Sequence, residues 1–314
     1  MARRSALAWL GICLAGWVMM ESAWAGVPRV VASIKPIHSL LAGVMAGVAE
    51  PGLLLTGSGS PHAYALRPSQ AQLLRKADVV FWVGEELETF LIKPLQSLGS
   101  HAKKIPLHQV DGIQLLQSRE GGLFASNDDH SDHEAHPGHP HANQNMHIWL
   151  DPQNARAMIA AMAGVLGELD PQNASRYHQN AAAGITQLQM LEQDLGNQLA
   201  PIQKKPYLLF HDAYAYFEHR FGLHPVGALS IHPEQKPSAK RIYDIRQGIA
   251  ASGAECIFSE PQFEPALVAT LIRGTEVKKA TLDPLGAQLT PGKEAYTQLL
   301  THLAKSLTDC LLPP

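Results

Sequence analysis

The sequence predicts an α/β protein of two lobes, each a parallel sheet covered by helices, joined by one long rigid backbone helix. Three observations carry that prediction. Short apolar runs alternate with segments of helical spacing in both halves of the chain. One segment between the halves keeps a helical spacing far longer than any other. Of the 314 residues, the roughly 289 that follow the N-terminal leader segment also exceed what a single hydrophobic core usually organises.

The chain opens on a segment that sets its compartment. Arg3 and Arg4 make a basic start, residues 6–20 are apolar, and Ala23-Trp24-Ala25 has the small-x-small pattern of a signal-peptidase site. The apolar run is too short to cross a bilayer, and no stop-transfer charges follow it. Ile12 before Cys13 is not the small residue that lipid attachment needs. Residues 1–25 therefore read as a signal peptide cleaved near Ala25, with the mature chain exported. Losing Arg3, Arg4 and Glu21 takes the formal charge from −3 to −4. A mildly acidic chain without a basic block argues against nucleic acid or an anionic membrane as partner. No later stretch is long and apolar enough to be embedded in a bilayer.

The N-terminal lobe is expected over residues 26–165, with strands at 29–34, 53–56 and 78–83 and helices at 37–49 and 69–76. The C-terminal lobe, 201–314, repeats the habit with strands at 207–210, 226–231, 256–259 and 280–282, and helices at 238–251 and 265–273. Apolar strands alternating with helices indicate parallel sheets covered on both faces. Between the lobes, within a linker at 166–200, Ala174, Tyr177, Ala181, Ile185, Leu188, Leu191, Leu195 and Leu199 follow one another by threes and fours. Asp170-Pro171 reads as the helix start and Pro201 as its end. Such a helix of about 28 residues is about 42 Å long, enough to run along both lobes.

Residues 126–145 stand apart: Asp, His, Asn, Pro, Gly and Ala make up almost all of them. Without periodicity or apolar side chains the segment cannot bury a core and reads as a surface loop. After loss of Cys13 only Cys256 and Cys310 remain. In an oxidising compartment they point to a structural disulfide closing a loop of about 55 residues, the alternative being two unpaired buried thiols.

Sixteen histidines are unevenly placed. His130, His133, His136, His139 and His141 lie in the loop, where flexible spacing suits weak, exchangeable metal capture or merely a solvated, pH-sensitive tract. A specific site needs ligands on rigid elements. His62 follows the strand at 53–56, His147 lies where order resumes after the loop, and His211 and Asp283 follow the strands at 207–210 and 280–282. Ligands of open α/β sheets bind at the carboxyl ends of strands, so these residues would meet across the cleft between the lobes. Three imidazoles with a carboxylate or water make the four-coordinate set that zinc prefers. Asp283 either coordinates or caps the following turn. Glu260, at the same rim, would orient a ligand or bind backbone amides. His38, His178, His219, His224, His232 and His302 read as ordinary core or loop residues.

At these positions the chain resembles the ZnuA family, the periplasmic zinc-binding components of bacterial ABC importers, within the metal-binding cluster of solute-binding proteins. The resemblance is carried by Ala32-Ser33-Ile34-Lys35-Pro36, Pro61-His62-Ala63-Tyr64, Asn145-Met146-His147-Ile148-Trp149-Leu150, Phe210-His211-Asp212-Ala213-Tyr214, Glu260-Pro261-Gln262 and Asp283-Pro284-Leu285-Gly286, in order from about residue 29 to the end. It implies that His62, His147 and His211 are metal ligands and that Asp283 matches a carboxylate used by manganese receptors and less consistently by zinc receptors. It also implies that Cys256 and Cys310 are the family's disulfide pair. A periplasmic location, a membrane permease with its ATPase as partner, and a monomer are the further expectations. Where some zinc members carry a glutamate ligand, just before the first histidine, this chain has Pro61, leaving Asp283 or water as the fourth ligand. A manganese or iron receptor would favour more carboxylates and fewer histidines. A zinc hydrolase would share the three histidines, but the chain has no H-E-x-x-H and no motif that sets a general base beside a ligand. A metal buffer or surface adhesin without a transporter is the remaining class.

Overall fold

The computed structural model describes residues 26–119, 144–230, 238–263 and 265–313. The expected signal segment and His130, His133, His136, His139 and His141 lie outside these residues. The α/β class holds. In the N-terminal half β1 (Val30–Ala32), α1 (Lys35–Val44), β2 (Gly52–Leu53), α2 (Pro68–Lys76), β3 (Val79–Trp82), α3 (Thr89–Ser97) and β4 (Lys103–Pro106) build a parallel sheet of order β2-β1-β3-β4. A two-stranded antiparallel ladder follows, β5 (Leu116–Gln117) with β6 (Gln144–Asn145), so the last two residues of the expected loop are a strand. After α4 (Pro152–Leu169) and α5 (Ala174–Leu199), the C-terminal half comprises β7 (Tyr207–His211), α6 (Ala215–Phe221), β8 (Gly227–Ser230), α7 (Ala239–Ala251), β9 (Cys256–Ser259), α8 (Pro265–Leu271), β10 (Lys278–Thr281) and α9 (Ala295–Leu311). Its parallel sheet has the order β10-β9-β7-β8. Counted within each half, both sheets therefore run second-first-third-fourth.

Proline helps to start three of these helices: Pro36, Pro68 and Pro152 sit in the first turn, where the missing N–H costs nothing. β4 was not expected, because Lys103-Lys104-Ile105-Pro106 lacks an apolar run. It is an edge strand, as is β10 with Lys278-Lys279, and exposed lysines on an edge discourage pairing with another chain.

The expected long helix is α5, and a second lies beside it: α4 and α5 pack against each other more extensively than any other two described elements. α5 has 26 residues, about 39 Å. The expected division at 165/166 falls inside α4. Asp170 does not start α5; it ends α4, and its carboxylate accepts hydrogen bonds from the Asn173 amide (2.7 Å) and the Tyr177 hydroxyl (2.8 Å).

Alternation within the strands explains why both faces read as apolar. Val30, Ala32, Val79, Phe81, Tyr207 and Leu209 point into one central core, which also takes Met158, Met162, Leu188, Leu195, Tyr296 and Leu303 from α4, α5 and α9. Val31, Val80 and Trp82 join Leu74, Leu91 and Leu95 in an outer cluster of the N-terminal half. Leu208 and Phe210 join Ile245, Ile249 and Leu271 in an outer cluster of the other half. The halves thus share one hydrophobic interior, which opposes their wholesale separation.

Polar ties reinforce that interior. The Lys35 ammonium donates to the carbonyls of Gly286 (2.5 Å), Ala287 (2.8 Å) and Leu289 (2.8 Å), using all three of its protons. Trp149 Nε1 donates to the Pro284 carbonyl at 2.8 Å, and the Tyr296 hydroxyl donates to the Trp149 carbonyl at 2.6 Å. Cys256 and Cys310 are disulfide-bonded, with Cα atoms 6.3 Å apart, stapling α9 to the start of β9.

Candidate metal centre

His62, His147 and His211 converge, and one ring nitrogen of each lies within 4.8 Å of the others. Among the described residues this is the one group of three or more His, Cys, Asp or Glu side chains able to share an ion. Ring centroids are separated by 5.2 Å for His62–His147, 5.2 Å for His62–His211 and 4.8 Å for His147–His211. The pocket around them is lined also by Ser60, Trp149, Glu260, Phe263 and Leu285.

Each histidine is delivered by a different device. His62 ends a Gly-rich loop after β2. Tyr64 and Gln70 anchor that loop: the Gln70 amide donates to the Leu54 carbonyl (2.5 Å) and the Tyr64 oxygen (2.8 Å). A Cβ on Gly59 would lie 2.8 Å from the Tyr64 ring, so only glycine allows the loop to close over it. His147 follows β6 and precedes a single 3-10 turn at Ile148–Leu150, with Trp149 packed against its ring at 5.2 Å. His211 is the last residue of β7, paired in register with Ser230. Glu260 follows β9, the strand beside β7. The two residues flank the point where the strand order reverses, the crevice at which open α/β sheets bind ligands.

His147 and His211 are buried, whereas His62 is partly exposed. Both oxygens of Glu260 lie 3.5 Å from Nδ1 of His211, leaving Nε2 for the pocket. Burial, followed by the neighbouring His211 and His62 charges, pushes the His147 imidazole well below its ordinary pKa and favours the neutral form that binds metal. Burial, aided by the Asp283 charge, pushes the Glu260 carboxyl well above the usual range.

For Asp283 the sequence leaves two roles, coordination or turn capping. It is outside the histidine group. Its carboxylate accepts from the Gln262 amide (2.8 Å), from Leu285 N (3.1 Å) and from Ala287 N, which is the turn-capping alternative. His38 is a core residue, with Nε2 3.1 Å from the Pro51 carbonyl.

Several residues around the centre were not read from the sequence. Arg119 is paired with Asp212 and with Glu218 (2.7 Å), binding the end of the ladder to the residue after His211. Asn145 contacts both His147 and Asp212. The signals for it in the chain were its place two residues before His147 and at the head of the matching stretch Asn145–Leu150.

A family model described as zinc-uptake complex component A, periplasmic (ZnuA), matches residues 30–310. The high-affinity zinc uptake system protein ZnuA of Brucella abortus is 44% identical over 304 residues, covering 90% of this chain and 91% of that protein. A crystal structure of ZnuA superposes with a TM-score of 0.75 at 23% identity, covering 91% of this chain and 100% of its own. The periplasmic zinc binding protein TroA from Treponema pallidum gives a TM-score of 0.76 at 20% identity, with coverage of 92% and 100%. At these identities the two structures speak for the fold.

Proposed function

The chain belongs to the ZnuA family of periplasmic zinc-uptake components, and from that membership we propose that it is a high-affinity zinc receptor that delivers its ion to an ABC permease and its ATPase. One observation carries the metal chemistry. The Nε2 atoms of His62 and His147 lie 3.3 Å apart. Two nitrogens each about 2.05 Å from a tetrahedral ion are themselves about 3.3 Å apart. The third imidazole, His211, offers a ring nitrogen within 4.8 Å of the other two, and three neutral nitrogens suit zinc better than manganese.

The fourth position belongs to water in this reading, since the Asp283 carboxylate is engaged by Gln262 and two backbone amides. Glu260 orients His211. The action is capture and release without chemistry, by a monomer working in the periplasm after cleavage near Ala25. The histidines of the 126–145 segment would gather zinc near the cleft without forming the tight site.

Metal content of protein purified without added metal, followed by competitive titration with zinc, manganese and nickel, tests the proposal. One zinc per chain is expected, with tight binding abolished in His62→Ala and His211→Ala and retained after deletion of residues 128–141. Preference for manganese, or equal loss in the deletion, would overturn it.

A further inference from the structure

Asn145 is buried, and its carboxamide makes three contacts that run in two directions. Nδ2 donates to the Asp212 carbonyl at 2.7 Å. Oδ1 accepts from the backbone N–H of His147 at 3.0 Å and faces Nδ1 of the same histidine at 2.9 Å. A backbone carbonyl only accepts and a backbone N–H only donates, so the amide has one permitted orientation. With Oδ1 on its side, Nδ1 of His147 must carry the proton. Nε2 is then the bare nitrogen, and it is the atom 3.3 Å from Nε2 of His62.

The backbone that carries this side chain is itself held, through its own carbonyl. The Tyr216 hydroxyl donates to the Asn145 carbonyl (2.6 Å) and accepts from Leu116 N (3.0 Å), and Leu116 is the ladder partner of Asn145. Asp212 follows His211 directly. A single side chain therefore sets the tautomer of one imidazole and ties it to the strand end that bears another.

We propose that Asn145 is a positioning residue for the zinc site: it presents Nε2 of His147 to the ion before the ion arrives and couples His147 to His211. This inference rests on the zinc-receptor reading above. Losing the acceptor leaves His147 free to exchange tautomers and to turn its proton toward the pocket. Losing the donor removes one of the ties between the His211–Asp212 segment and the ladder, the Arg119–Asp212 pair being another.

The test uses metal-free, full-length mature protein labelled with 15N-histidine, read by long-range 1H–15N correlation, with zinc affinity measured separately by chelator competition. Wild-type His147 is expected to be protonated at Nδ1 only. Asn145→Ala is expected to show mixed or inverted tautomers and zinc binding weaker by about 10–100-fold. Asn145→Asp keeps an acceptor and loses the donor, so it is expected to retain the Nδ1–H tautomer with intermediate affinity. Wild-type His147 protonated at Nε2 would overturn the proposal even if Asn145→Ala fails to fold. So would wild-type tautomer and affinity in Asn145→Ala. If the wild type binds no zinc while its tautomer is as described, the receptor reading fails instead.

Discussion

The Arg220 guanidinium on α6 grips the carboxylate of Asp151, the N-cap of α4, through two parallel hydrogen bonds of 2.8 Å. Asp151 is 1% exposed and also accepts from Gln153 N at 2.8 Å. The pair joins the helical connector to the C-terminal half close to His147. Removing one partner strands a buried charge, which costs more than the pair contributes. Arg220→Met should therefore lower unfolding free energy by about 3–5 kcal/mol. Denaturant unfolding should remain one transition, since both halves share the central core. A loss below 1 kcal/mol would contradict this.

Glu88 gives a pH signature of its own. It is fully buried, its Oε2 accepts from Val83 N (2.7 Å) and Gly84 N (3.1 Å), and burial raises its pKa from 4.5 to about 7. A carboxyl whose folded pKa exceeds the unfolded one binds more protons in the folded state between the two values. Its stabilising contribution is complete below about pH 4.5 and is lost as pH rises through about 7. Glu88→Gln cannot titrate, so its stability relative to wild type should improve by on the order of 3 kcal/mol between pH 4 and pH 8. Paired unfolding curves at the two pH values measure it. A difference independent of pH would show that the carboxyl titrates normally.

Gly59 separates loop geometry from stability. The Tyr64 ring that a Cβ would strike is held by Gln70 through its hydroxyl and by Phe90, at 5.3 Å between centroids. The added methyl must then displace the loop carrying His62. Gly59→Ala should weaken zinc binding about tenfold, in the range seen when groups supporting a metal ligand are disturbed. Its melting temperature should change little, because residues 56–61 belong to none of the core clusters. Unchanged affinity would mean that the loop yields elsewhere.

Much of the architecture was legible because its causes are local. The runs at 79–82, 207–210 and 256–258 are apolar at every position, as strands with two covered faces must be, and Leu188, Leu195 and Leu199 recur at helical spacing. β4 was hidden because an edge strand needs only one neighbour and tolerates Lys103 and Lys104. α4 was missed although Ala155, Met158, Ile159, Met162 and Ala163 repeat at helical spacing, because alanine and methionine make a weak apolar signal.

The residues by themselves determined the kinds of ligand available, the strand ends that offer them, and the cysteines that pair. Only the tertiary structure decided that His62, His147 and His211 meet while Asp283 turns to its own loop, and that Asn145 links His147 to the residue after His211. Periodicity and capping depend on neighbours a few residues away, and the chain writes these down directly. Distances of a few ångströms between residues 62, 147 and 211 depend on how two sheets and two long helices settle around one shared core, which no local pattern encodes.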